Sequence, residues 1–152
     1  MGGYGIDWLE QPSTELWEAR RRWFDELGES LAGEGSYFVS EQACALIGEV
    51  QTAFCAGAWV AVLVLAMAVV DAQLRETEVP EFKGNTQQLL DVVQANPDLH
   101  RLRERRNAII HIRPENPAIT VDQQWANRAE LEQEARQAVE LMFEAFYIGP
   151  MV

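Results

Sequence analysis

Residues 53 to 70 read AFCAGAWVAVLVLAMAVV, eighteen positions without a charge, and this run limits what the chain can become. Eighteen apolar residues stand at the lower edge of a membrane span. A helix apolar on every side is equally what the centre of a helical bundle requires. The run is rich in Ala and Gly. It is flanked by Glu49, Asp71, Arg75 and Glu76 and has no cluster of basic anchors. These features favour a buried helix, so no membrane association is expected. With 152 residues the chain is long enough to surround such a helix as one domain. A chain of that length typically buries about 68–70% of its unfolded surface.

Start and stop signals divide the sequence into helices. Ser13 or Thr14 can cap a helix to about Leu31, with Gly33 and Gly35 as stops. Ser40 is placed to cap one long helix from about 41 to 76, ended by Val79-Pro80. Asn85-Thr86-Gln87-Gln88 has capping-box spacing. Asn96-Pro97-Asp98 places a cap, a first-turn proline and an acid in order, opening a helix over 97–111. Pro114 and Pro117 then break the pattern. Residues 113–126 read as a loop, with a short extended piece at Ile119-Thr120-Val121. Asn127-Arg128-Ala129-Glu130 resembles another capping box, and the last helix runs from 128 to 147 and closes at Gly149-Pro150.

Beyond those few residues there is no period-two alternation. The expected fold is all-α: an antiparallel four- to five-helix bundle with a long central apolar helix. One domain covers 1–152, with 1–12 as an N-terminal extension and 113–126 as a loop, these two being the least ordered parts.

The two cysteines, Cys44 and Cys55, lie eleven residues apart. On one helix that is about 16 Å, beyond disulfide reach. Both read as buried small hydrophobes in a reducing compartment. The start, Met1-Gly2-Gly3-Tyr4-Gly5, is neither basic nor followed by an apolar stretch, so no secretory signal is expected and the location reads as cytoplasmic.

The formal charge is −12, which argues against coating nucleic acid or an anionic membrane. One stretch departs from that background. RLRERRNAIIHIR, residues 101–113, holds Arg101, Arg103, Arg105, Arg106 and Arg113 against Glu104 alone. His111 lies within it and His100 just before it. Read plainly, this is a solvated basic face, packed by Leu99, Leu102, Ile109 and Ile112 with the arginines snorkelling.

A functional reading rests on Arg106, Asn107 and His111. Helical spacing stacks Asn107 and His111 on one face, with Arg106 about 100° away. One helix therefore does not aim Arg106 and His111 at a single atom, but two copies about a two-fold axis can. Histidine titrates near neutrality and moves protons. Arginine binds phosphate oxygens with a fixed fork. No acidic cluster is placed to hold a metal, so neither a metal site nor a cofactor is expected.

Arg106-Asn107-x-x-x-His111 resembles the Arg-polar-x(3–5)-His signature of the HEPN superfamily, whose domains are α-helical bundles with a long apolar helix before the motif helix and a closing helix after it. The resemblance implies a metal-independent endoribonuclease acting as a homodimer on RNA. A toxin with an antitoxin partner, or a phage-defence effector, would fit. Arg106 would stabilise charge on the scissile phosphate, His111 would act as general acid or base, and Asn107 would position substrate or histidine. Arg103, Arg105 and Arg113 would bind the nucleic acid. An acidic residue on the long helix, Asp71 or Glu49, also has a counterpart in some members; Asp71 reads first as the satisfied polar end of a core helix. The alternative is a non-catalytic HEPN-like protein-binding module with an acidic surface.

Other positions read structurally. Arg20-Arg21-Arg22, among Glu15, Glu18, Asp25 and Glu26, reads as a salt-bridged surface. Trp17 and Trp23 read as core, Trp59 as core or dimer interface, and Trp125 as a residue that can stack on a base. His100 reads as exposed and without a role.

Overall fold

The structure, a computed structural model, describes residues 9–148 and 150–151. The glycine-rich start with Trp8, and Gly149, fall outside the described residues. The fold is all-α, with seven helical segments and one pair of two-residue strands among the described residues.

Helix α1 (Thr14–Ala32) begins where Ser13 Oγ accepts the Leu16 N–H at 3.1 Å. It ends at Gly33, whose φ of 59° is left-handed. Strand β1 (Ser36–Tyr37) leads to α2 (Glu41–Ala56), capped by Ser40 as its sequence predicts. The single helix expected over 41–76 is two helices. Gly57 adopts φ 79°, and the Ala58 N–H reaches back to Ala53 O at 2.9 Å, which closes α2. Helix α3 (Trp59–Thr77) starts two residues later and packs against α2. The uncharged run is therefore the bend of a hairpin. No helix among the described residues is long and apolar enough to cross a membrane.

Helix α3 also packs on α7 and α5, burying Trp59, Val62, Leu63, Ala66, Met67, Val69, Val70 and Leu74. Gln73 is the polar exception in that row, 2% exposed. Its Oε1 accepts the Ser40 N–H at 2.8 Å and its Nε2 donates to Phe38 O at 2.9 Å. A buried carboxamide thus satisfies the backbone entering α2.

Helix α4 (Thr86–Val92) opens with the expected capping box of Asn85 and Gln88. Helix α5 (Pro97–Ile110) opens on Asn96, whose Oδ1 accepts the Asp98 N–H at 3.0 Å. The segment expected as a loop over 113–126 contains α6 (Val121–Ala126). Thr120 and Gln123 form its capping box, so the expected extended piece at 119–121 is the entry to a helix. Helix α7 (Arg128–Phe146) follows without a side-chain cap from Asn127, contrary to the capping box read there. Asn127 already serves as the end of α6, which sets its backbone away from capping geometry. Strand β2 (Pro150–Met151) pairs antiparallel with β1, Ser36 opposite Met151 and Tyr37 opposite Pro150.

The tryptophans and cysteines divide differently from expectation. Trp59 is core at 2% exposed, whereas Trp17 and Trp23 are half-buried. Trp23 stacks on Phe54 with centroids 4.9 Å apart. Cys55 is buried, but Cys44 is exposed, because it falls on the outer face of α2.

At Gly28, α1 lies directly against Phe143 of α7. A Cβ there would stand 3.0 Å from Phe143 Cζ. Alanine's better helix propensity, about 1 kcal/mol, offsets that tight contact. Valine adds two methyls and is expected to cost about 1–3 kcal/mol by overpacking. Thermal unfolding of Gly28→Ala and Gly28→Val measures the difference; equal melting temperatures would show that the helices separate freely there.

Candidate functional site

Helix α5 is held by few apolar contacts. Leu99 and Leu102 are buried and Ile109 is half-buried. Ile112, expected on the same stripe, is 88% exposed, because the helix stops at Ile110. His111 is the residue that leaves it, with φ −111° and ψ 113°. Its backbone N–H still bonds Asn107 O at 3.0 Å. The extended backbone removes the side-chain stacking of Asn107 and His111 that an unbroken helix would give.

Asn107 instead holds Arg106: its Oδ1 accepts the Arg106 Nε–H at 3.0 Å. That bond fixes the amide with its NH2 as the remaining donor. Arg106 is half-buried. Burial lowers its pKa from the ordinary guanidinium value, Asp71 opposes that shift, and Arg103 adds to it.

Two grooves meet at Arg106. One, of about 400 Å³, is lined by Ser40, Gln42, Asp71, Arg75 and Glu76 together with Arg106. The other, of about 180 Å³, is lined by Asn85, Thr86, Gln87, Arg103, Arg106 and Asn107. Asp71 joins them. One of its oxygens accepts from Arg75 Nε at 2.9 Å, and the other accepts from Thr86 Oγ1 at 2.8 Å. Arg75 continues to Gly84 O at 2.8 Å. Asp71 is thus a satisfied residue, as its place at the end of the apolar run suggests, and it is also a neighbour of the motif arginine. Glu49 is exposed on α2 and lines neither groove.

His111 lines a different cavity, of about 170 Å³, with Ile109, Ile112, Arg113, Pro114, Pro117 and Ile119 among its walls. Within one chain Arg106 and Asn107 are brought together and His111 is not. The imidazole is exposed, and among the described residues it makes no side-chain hydrogen bond.

The remaining arginines divide by role. Arg105 donates from Nε and Nη2 to Glu134 at 2.9 and 3.3 Å, and from Nη1 to Ala118 O at 2.8 Å. Those three bonds tie α5 to α7 and to the following loop. Arg113 is exposed. Arg103 makes no hydrogen bond among the described residues; its nearest carboxylate is Glu104, at 3.9 Å. His100 is partly buried and stands 3.4 Å from Asp91. Trp125, on α6 rather than in a loop, is 47% exposed. No group of three or more metal-ligating side chains occurs among the described residues.

Asn85, Thr86 and Gln87 were not signalled as site residues by the sequence. Their capping-box pattern gives the start of α4 but not that this start faces α5. Compared with family profiles, curated proteins and solved structures, the chain finds no match.

Proposed function

We propose that the chain is a HEPN-type, metal-independent endoribonuclease that works as a homodimer. The observation that carries the reading is the end of α5. His111 projects there as an exposed imidazole between Ile110, 50% exposed, and Ile112, 88% exposed. Two bare isoleucines beside a proton-transfer group suit a surface that a second copy covers. A two-fold pairing through this end would bring each His111 toward the partner's motif helix, which one protomer alone does not achieve.

In that arrangement Arg106, steadied by Asn107, binds the non-bridging oxygens of the scissile phosphate. The RNA 2′-oxygen attacks phosphorus and the bond to the 5′-oxygen breaks. His111 removes the 2′-hydroxyl proton or delivers one to the leaving 5′-oxygen. The products are a 2′,3′-cyclic phosphate and a 5′-hydroxyl. Such an activity fits a toxin or phage-defence effector restrained by a protein antitoxin.

The test is single-stranded RNA with purified protein in EDTA, comparing Arg106→Ala and His111→Ala. Cleavage giving cyclic-phosphate ends, absent in both variants, supports the reading. Cleavage that disappears with EDTA, or that persists equally in all three proteins, ends it. Ile112→Glu is expected to shift the protein from dimer to monomer in light scattering and to abolish cleavage without lowering its melting temperature. A dimer that survives this substitution would place the interface elsewhere.

The second reading, a non-catalytic protein-binding module with an acidic surface, draws on the commitment of Arg105 and Asn107 to bonds within the chain. It predicts no RNA turnover and a stoichiometric basic partner on co-purification.

A further inference from the structure

The smaller groove has a composition at odds with the chain around it. The sequence has twice as many acidic as basic residues, yet the six groove residues include two arginines and no acid. Arg103 and Arg106 sit three apart on α5, where like charges repel. The Arg103 Nε is buried and has no hydrogen-bond partner. Buried donors are almost always satisfied, so this one N–H stands out, while the rest of the guanidinium reaches the surface. The carboxylates nearby do not resolve this. Glu104 is beyond hydrogen-bond distance, and both Asp71 oxygens are already held by Arg75 and Thr86.

Amide side chains complete the lining. The Asn107 NH2 remains free once its oxygen is on Arg106. Asn85 and Gln87 add exposed carboxamides from the start of α4. The volume is about 180 Å³.

The geometry points to a phosphate-binding pocket complete within one protomer, formed by Arg103, Arg106, Asn107, Asn85 and Gln87. Its ligand is a phosphate group, either the terminal monoester of a nucleotide or the internal diester of a strand. Two guanidiniums neutralise the charge, and the amides supply oriented donors at its oxygens. The inference rests on the ribonuclease reading only for the source of the phosphate. It assigns ligand contacts to Arg103, Asn85 and Gln87, which no chemistry at the scissile bond requires. Within one protomer His111 lines another cavity and is not part of this pocket.

The experiment is a phosphorus NMR titration of the full chain with inorganic phosphate, a nucleoside 5′-monophosphate and a dinucleoside phosphodiester. Arg103→Gln is expected to weaken phosphate binding at least tenfold, the effect of one charge-assisted hydrogen bond. Gln87→Glu puts a carboxylate into the groove from an exposed helix start, where an acid suits the fold. It is expected to weaken binding as much, and it serves should Arg103→Gln not fold. Arg101→Gln, on an exposed arginine paired with Asp98, is expected to bind as wild type. Absence of saturable binding, or equal weakening by Arg101→Gln, overturns the pocket. Preference for the monoesters makes the ligand a chain terminus, and equal binding of the diester makes it an internal phosphate. Phosphate binding lost in Gln87→Glu, in a protein that never cleaves RNA, keeps the pocket and discards the nuclease. RNA cleavage with phosphate binding untouched by both groove variants does the reverse.

Discussion

Replacing His111 with alanine is expected to lower RNA cleavage by about 10²–10⁴-fold, the usual contribution of a positioned general acid or base. Replacing Arg106 is expected to cost about 10²–10³-fold, because a preorganised charge on the phosphate is lost. The two losses should not multiply, since both groups act on one transition state. The structure separates lost chemistry from lost folding. His111 is exposed and its ring bonds no described residue, so His111→Ala should change stability by no more than about 0.5 kcal/mol. Arg106 is half-buried, but Asp71 keeps both Arg75 and Thr86 when Arg106 is removed. Arg106→Lys retains a charge but loses the Nε bond to Asn107 and the two-pronged grip on phosphate. It is therefore expected to cleave far below wild type. Single-turnover cleavage rates, read beside melting temperatures, decide the matter: a slow variant with an unchanged melting temperature supports the assignment. Full activity in His111→Ala would falsify it.

What the sequence disclosed were the local determinants. Ser13, Ser40, Asn85 and Asn96 each cap the helix that their spacing predicts, because a cap bonds within three residues of itself. The adjacency of Arg106 and Asn107 is local in the same way. Gly57 was harder to read: both flanks are apolar, so no change of period marks the bend, and only the packing of α3 back on α2 shows that one helix has become two. The break at His111 is of this kind too, with Ile112 outside the core stripe although its spacing fits. Thr120 opens a helix where an extended piece was expected, and Asn127, expected to cap the last helix, ends that short one instead. The relation of Asp71 to Thr86 and Arg106 spans three helices, and no periodicity within one helix encodes it. Glu10 is the extreme case. It was placed in an N-terminal extension, yet it bonds Arg128, 118 positions away.

Glu10→Ala is expected to be the most destabilising single substitution of those considered. Glu10 Oε1 pairs with Arg20 at 2.7 Å and Oε2 accepts from Arg128 Nη2 at 2.8 Å. Arg20, read from sequence as surface, is 6% exposed, with its guanidinium 4.7 Å from the Trp59 ring centroid. Arg128 stands over the same ring at 5.7 Å. The two guanidiniums also bond Cys55 O at 3.1 Å and Gly57 O at 2.7 Å, carbonyls where α2 ends. One carboxylate therefore balances two cations that brace the α2–α3 bend. Removing it leaves a buried arginine beside a second positive charge. Breaking a buried pair from one side costs about 3–5 kcal/mol. Glu10 is 22% exposed, which points to the lower end. For a chain of this size about 3 kcal/mol corresponds to a fall in melting temperature of about 6–12 °C. Arg128→Ala should cost less, because Glu10 keeps Arg20. Combining Glu10→Ala with Arg20→Met removes both members of the buried pair and keeps an apolar stem on Trp59, so the double variant should be more stable than Glu10→Ala alone. If the double variant melts lower, the penalty comes from lost packing around Trp59 rather than from a stranded charge.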